Sequence, residues 1–231
     1  MVKVGILLSG VGHGDGSNIS ETVLTLFYLS EAGAEVFFLA PNSFHSEVVD
    51  HSTGKTTDER RNILVESARI AGEKIRALDR VDPRELDALI IPGGLGVLKN
   101  LCNFQVAGES CRVDEQVRHL VGGMVRRKKP VGVVSMAAVL LARILKNREG
   151  ITPTLTVGND AEVAGSIQAM GGIHVPTKVD EAVIDEQNRL VSTPASLLGT
   201  GVAQMAQGIQ NLVRGTLELV HKGEGYAGSE G

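Results

Sequence analysis

Cysteine is scarce: Cys102 and Cys111 are the only two in 231 residues. Two thiols outside any CxxC spacing cannot build a disulfide framework, so they read as free thiols of a reducing, cytoplasmic compartment. Positive charge in blocks is scarce too. The net charge is −4, and the one basic cluster is Arg126-Arg127-Lys128-Lys129, so nucleic acid is not an expected partner. That cluster closes a predicted helix just before Pro130, where cations complement the helix dipole, and it reads as a solvated helix end. No apolar run approaches the ~18 residues that a membrane span needs, so no membrane association is expected. The chain enters a core strand at once, at Val2–Leu8, and no signal or transit peptide is expected ahead of it. Among the six histidines none sits at an HxxxH or HxH spacing with a further ligand. No structural metal is expected.

The remaining composition is that of a globular α/β protein, with 42% hydrophobic and 22% charged residues. One domain is expected over residues 1–222, with the Gly-rich stretch 223–231 as a frayed tail. Short apolar strands alternate with helical segments, which predicts a flavodoxin-like, doubly wound, mostly parallel sheet with helices on both faces. Strands are predicted near Val2–Leu8, Glu35–Leu39, Ala88–Ile91, Val131–Val134 and Leu190–Ser192, with a weaker one at Leu155–Val157. Helices are predicted near Ser20–Ala32, Asn62–Ala71, Asp114–Lys128, Ala137–Leu145, Ala161–Met170 and Ala203–Val220. Asp160 suits an N-cap and Gly33 a C-cap. The segment Pro41–Thr57 has no period and reads as an excursion. Residues His174–Ile184 suggest a small antiparallel flap.

In such a sheet the ligand site lies outside the carboxyl ends of the strands. Three features map there: the loop Ser9–Asn18, the turn Pro92-Gly93-Gly94-Leu95-Gly96, and Ser135. An apolar run, Val131–Val134, stops at Ser135, and a helical series begins almost at once. That is the pattern of a nucleophile elbow, in which a strained bend presents one side chain. The Gly10–Gly16 loop fails the G-x-G-x-x-G fingerprint because Asp15 stands where the last glycine belongs, and no Gly-Lys-Ser/Thr follows. No dinucleotide or other cofactor is expected, and the loop reads as a flexible lining that carries His13 and Asp15. Gly93 and Gly94 form either a tight turn or an oxyanion hole of bare backbone N–H groups. Glu21, in the first turn of a helix, either favours the dipole or points back to hydrogen-bond the nucleophile. His174 opens the flap, whereas His45, His51, His119 and His221 read as surface positions.

These residues, taken in order, resemble a known family. Ser20-Glu21-Thr22-Val23-Leu24-Thr25-Leu26, Ile91-Pro92-Gly93-Gly94-Leu95-Gly96, Lys99-Asn100-Leu101, Lys129-Pro130-Val131-Gly132, Met170-Gly171-Gly172 and Thr193-Pro194-Ala195 are among the matching segments. They span nearly the whole chain, which resembles the ElbB-like, glyoxalase-like group of the DJ-1/PfpI superfamily, with a class I glutamine amidotransferase-like fold. The resemblance implies a homodimer, and it maps Glu21 onto the glutamate that hydrogen-bonds the family cysteine. Typical members carry Cys-Ile-Ala-Pro at the elbow, where this chain has Ser135-Met136-Ala137-Ala138. The family's Asp-Gly-Ser-Glu becomes Asp15-Gly16-Ser17-Asn18. Cys111 resembles a cysteine of the relatives that is not their nucleophile. A cysteine of pKa ~8.5, lowered at a helix N-terminus, is partly thiolate at neutral pH, whereas a serine needs an adjacent base. Glyoxalase-type conversion of glyoxal to glycolate is therefore expected to be weak or lost. The pocket would then hold a small aldehyde, a carboxylate or a protein partner. The alternative is a working enzyme in which Ser135 attacks, His13 or another histidine is the base, and the Gly94 and Met136 N–H groups hold the oxyanion.

Overall fold

The computed structural model describes residues 1–72, 74–199 and 201–227. In chain order the elements are β1 (Lys3–Leu7), α1 (Ile19–Glu31), β2 (Glu35–Ala40), β3 (Val48–Asp50), β4 (Lys55–Thr57), α2 (Ile63–Ala71) and β5 (Ile75–Ala77). There follow β6 (Ala88–Ile91), α3 (Gly96–Asn100), α4 (Phe104–Ala107), α5 (Glu115–Arg126), β7 (Val131–Val134) and α6 (Ala137–Leu145). The chain continues through β8 (Thr154–Leu155), α7 (Ala161–Ala169), β9 (Ile173–His174), β10 (Val183–Asp185), β11 (Leu190–Thr193) and α8 (Val202–Ala227).

A seven-stranded sheet runs in the order β10-β11-β7-β6-β1-β2-β5. Its neighbours pair in parallel except β10, which is antiparallel to β11. Ile6 of β1 pairs with Phe38 of β2 on one side and Ile90 of β6 on the other. The order reverses between β1 and β6, so the loops after these strands flank the crevice where such folds bind ligands. Neighbouring strand residues divide between two cores. Leu7, Leu39, Leu89 and Val133 pack with Met124, Leu141 and Ile167 under α5, α6 and α7. Ile6, Phe38, Ile90 and Val134 pack with Leu29, Ile63 and Ile209 under α1, α2 and α8. Each such fully buried aliphatic side chain contributes about 1.5–3 kcal/mol, which explains why β6 and β7 are apolar throughout.

The expected fold is the observed one, and β7 and α6 keep the predicted bounds. Asp160 caps α7 by accepting from the Glu162 and Val163 N–H groups, and Gly33 takes the left-handed conformation after α1 (φ +71°). Some expectations are corrected. Residues His174–Ile184 form no separate flap, because β9 pairs in parallel with β8 while β10 extends the main sheet. The Pro41–Thr57 excursion contains the antiparallel hairpin β3–β4. That hairpin and β5 escaped the sequence reading because each of their strands is only three residues long, too short to show a period. The helix α8 continues to Ala227, into the stretch expected to fray, while residues 228–231 lie outside the described ones. Among the described residues no helix is long and apolar enough to cross a membrane.

Candidate functional site

The elbow is built as the sequence suggests. Ser135 has φ +56°, a left-handed backbone that a non-glycine residue adopts at a cost of roughly 1–3 kcal/mol. Two hydrogen bonds over-determine it. Its N–H donates to the Thr193 carbonyl of β11 at 2.9 Å, and its carbonyl accepts from Ala138 N–H at 3.1 Å. Only 2% of Ser135 is exposed. Its hydroxyl has no hydrogen-bond partner among the described residues.

Glu21 lies beside it, wholly buried (0% exposed). Its Oε2 accepts from Gly93 N–H at 2.7 Å. Its Oε1 accepts from Ser196 N–H at 3.2 Å and from the Ser196 hydroxyl at 2.5 Å. Burial pushes the carboxyl above its ordinary value, against the opposing pull of the Ser196 and Gly93 bonds. At Gly93 an added Cβ would lie 2.7 Å from both Glu21 Oε2 and Ser135 Cβ, so only glycine fits between them. The elbow, the Gly turn and Glu21 therefore converge. Glu21 does not bond the Ser135 hydroxyl, however, because both carboxylate oxygens are directed to Gly93 and Ser196. Gly93 likewise cannot serve as an oxyanion donor, since its N–H is already engaged. The N–H groups of Gly94 and Met136 donate to no acceptor among the described residues and stay open to a ligand oxygen. Gly94 needs its glycine: its φ is +103°, and a Cβ there would lie 2.6 Å from Asn18 N. Ser196 escaped the sequence reading. Its one signal was position, directly after the Thr193-Pro194-Ala195 segment.

The Gly10–Gly16 loop is clamped rather than flexible. Lys99 Nζ donates to the Gly14 carbonyl at 2.7 Å. Asn100 Nδ2 donates to the carbonyls of Ser9 (2.8 Å) and Asp15 (2.7 Å). His13 is exposed, and its carbonyl accepts from Leu95 N–H at 2.8 Å. Neither its ring nor any other imidazole hydrogen-bonds Ser135 among the described residues. Asp15 is buried and holds the hairpin: its Oδ2 accepts from Val49 N–H at 2.7 Å, and its Oδ1 lies 3.6 Å from His51 Nε2.

The hairpin excursion lays the rings of His45 and His51 against this loop; His45 is half-buried there rather than a surface residue, while His51 keeps the exposed position expected of it. His45 Nδ1 hydrogen-bonds the Asp15 carbonyl at 2.9 Å, and burial lowers its pKa. Gly14 N–H donates to His51 Nε2 at 3.1 Å, so the proton sits on Nδ1, which faces the Val49 carbonyl at 3.0 Å. Among the described residues no cluster of three metal-ligating side chains forms. Both cysteines are free and packed in the apolar core, and burial pushes Cys102 up to about 12.

No family model matches the chain. It is 38% identical over 230 residues to the human glutamine amidotransferase-like class 1 domain-containing protein 3, mitochondrial, covering 95% of this chain and 84% of that protein. A crystal structure of an isoprenoid biosynthesis protein with an amidotransferase-like domain from Ehrlichia chaffeensis superposes with a TM-score of 0.87. That pair is 31% identical, covering 94% of this chain and 99% of the other. A DJ-1 superfamily protein from Salmonella typhimurium shares the fold alone, at TM-score 0.56 and 18% identity over 98% of each chain. The chain belongs to the ElbB-like, glutamine amidotransferase-like class 1 group of the DJ-1/PfpI superfamily.

Proposed function

We propose that this protein keeps its elbow pocket to bind a small carbonyl or carboxylate ligand and has weak or no glyoxalase-type activity. One observation carries the reading: the Ser135 hydroxyl has no base within hydrogen-bonding reach among the described residues. A serine is a poor nucleophile until a neighbour takes its proton, and general base assistance contributes about 10²–10⁴ in rate. Glu21 is a poor candidate for that role, because Gly93 and Ser196 already engage both of its oxygens. Binding is a different matter. The open Gly94 and Met136 N–H groups flank the bend and suit a carbonyl or carboxylate oxygen.

The test is turnover of glyoxal to glycolate by the wild type beside Ser135→Cys. A thiol at the start of α6 gains thiolate character from the helix N-terminus. The expected result is a rise of about a hundredfold or more in kcat/KM for the variant. A wild-type rate equal to that of the variant overturns the reading. We also propose a homodimer in a reducing compartment. Ile19, Val23 and Phe27, spaced i, i+4 and i+8 along the outer face of α1 and about half exposed, support the first. Two free thiols support the second.

A further inference from the structure

At the opposite end of the sheet a cavity of about 590 Å³ opens where three adjacent strands begin. Asp87 directly precedes β6, Pro130 precedes β7 and Arg189 precedes β11, and all three line it. Arg127, Lys128, Lys129, Glu186 and Lys222 complete the charged lining. The volume suits a small organic ligand. Cations outnumber acids here, and the acids are already engaged. Glu186 pairs with Lys222 at 2.7 Å, and Asp87 Oδ2 accepts from Lys3 N–H at 2.8 Å. Lys129 is occupied as well, since its ammonium donates to the carbonyls of Pro83, Arg84 and Leu86.

Arg127, Lys128 and Arg189 likewise form no ion pair among the described residues, and Arg127 spends only its Nη1, on the Gly123 carbonyl at 3.2 Å. Arg189 is the telling one. Its Nη2 donates to the Leu219 carbonyl, but its Nε is buried with no acceptor. A guanidinium cannot shed its charge, so this one stays cationic at the wall of the cavity. The enclosed Nε is out of reach of a ligand, and Nη1 is the group that stays available to one. Lys128 adds a second sign. It occupies the left-handed position after α5 (φ +53°), where glycine is the usual and less strained choice. A lysine thus stands where glycine would carry less backbone strain.

We propose that this cavity binds a phosphoryl group, held by Arg127, Lys128 and Arg189. Three cations lining one cavity exceed what one carboxylate needs and match a dianion with three acceptor oxygens. Pro130 and the elbow residue Ser135 bracket β7, so the two sites stand at opposite ends of one strand. The basic run Arg126-Arg127-Lys128-Lys129 is then part of a binding surface as well as a helix end.

A phosphoryl group could belong to a soluble phosphate ester or to a lipid headgroup, and the experiment separates them. The full chain is titrated calorimetrically with inorganic phosphate and, in parallel, with phosphatidic acid vesicles against phosphatidylcholine controls. The variants are Arg127→Gln and Lys128→Gly. Glycine adopts the left-handed conformation freely, so Lys128→Gly removes the charge without endangering the fold. Saturable binding of inorganic phosphate that weakens about tenfold in each variant supports the site and a soluble ligand. Binding confined to phosphatidic acid vesicles, with the same loss in the variants, supports the site and a headgroup. No binding of either probe at millimolar concentration, or binding that Lys128→Gly leaves unchanged, overturns the proposal. Glyoxal turnover does not enter the readout, so this result is independent of the elbow reading.

Discussion

At the scale of single residues, the chemistry turns on where protons and lone pairs go. Glu21 and Ser135 were both legible in the sequence, one from a helix start and the other from the end of an apolar run. Their relation was not. A sequence cannot say which way a buried carboxylate points, and Glu21 turns to Gly93 and to Ser196, 175 residues away. A serine in a four-residue 3-10 turn at that separation has no local signature. The buried carboxyl also has a measurable consequence. Its folded pKa is raised above the ordinary 4.5, so its proton is held more tightly in the folded state than in the unfolded one. Its contribution to stability is present below that ordinary value and is lost as pH rises through the raised one. Chemical denaturation between pH 4 and neutrality (the window set by 4.5 and its upward shift) should show this fall in the wild type. Glu21→Gln should flatten it. Equal slopes in the two proteins would show that Glu21 is not its source.

At the scale of elements, period and apolarity decided what could be read. β7 and α6 are buried on all sides, and a core segment announces itself by an unbroken apolar run followed by a helical one. The hairpin β3–β4 has neither property. Its register with the site loop rests on scattered polar bonds, above all Asp15 Oδ2 to Val49 N–H at 2.7 Å. Asp15 was legible as a loop residue, yet its task is to fasten the hairpin. Asp15→Ala should strand the Val49 N–H and cost about 1–3 kcal/mol. Faster amide exchange through residues 44–57, with β6 and β7 unchanged, is the expected pattern. Uniform acceleration across the sheet would mean that the aspartate supports the whole fold. His51 belongs to the same clamp, and its sequence neighbourhood of Asp50, Ser52 and Thr53 gave no hint of it.

At the scale of the whole molecule, the sheet has two working ends. The carboxyl ends of β1, β6 and β7 carry the elbow, and the amino ends of β6, β7 and β11 carry the cationic cavity. The apolar stripe on α1 faces away from both cores, with Phe27 56% exposed. A second copy of the chain packed on that stripe would remove it from water. Phe27→Glu should then shift the protein from dimer to monomer in sedimentation measurements, with the far-ultraviolet dichroism unchanged. A wild type that sediments as a monomer would place the dimer contact out of consideration.

The sequence by itself determined the layered α/β fold, the position of the bend and the identity of the residue on it, because burial imposes a pattern on local composition. The tertiary structure alone decided that, among the described residues, the Ser135 hydroxyl meets no base, Gly93 has spent its N–H on Glu21 and Arg189 Nε has no acceptor. Each of these is a pairing between groups far apart in the chain, and a pairing of that kind leaves no trace in either neighbourhood.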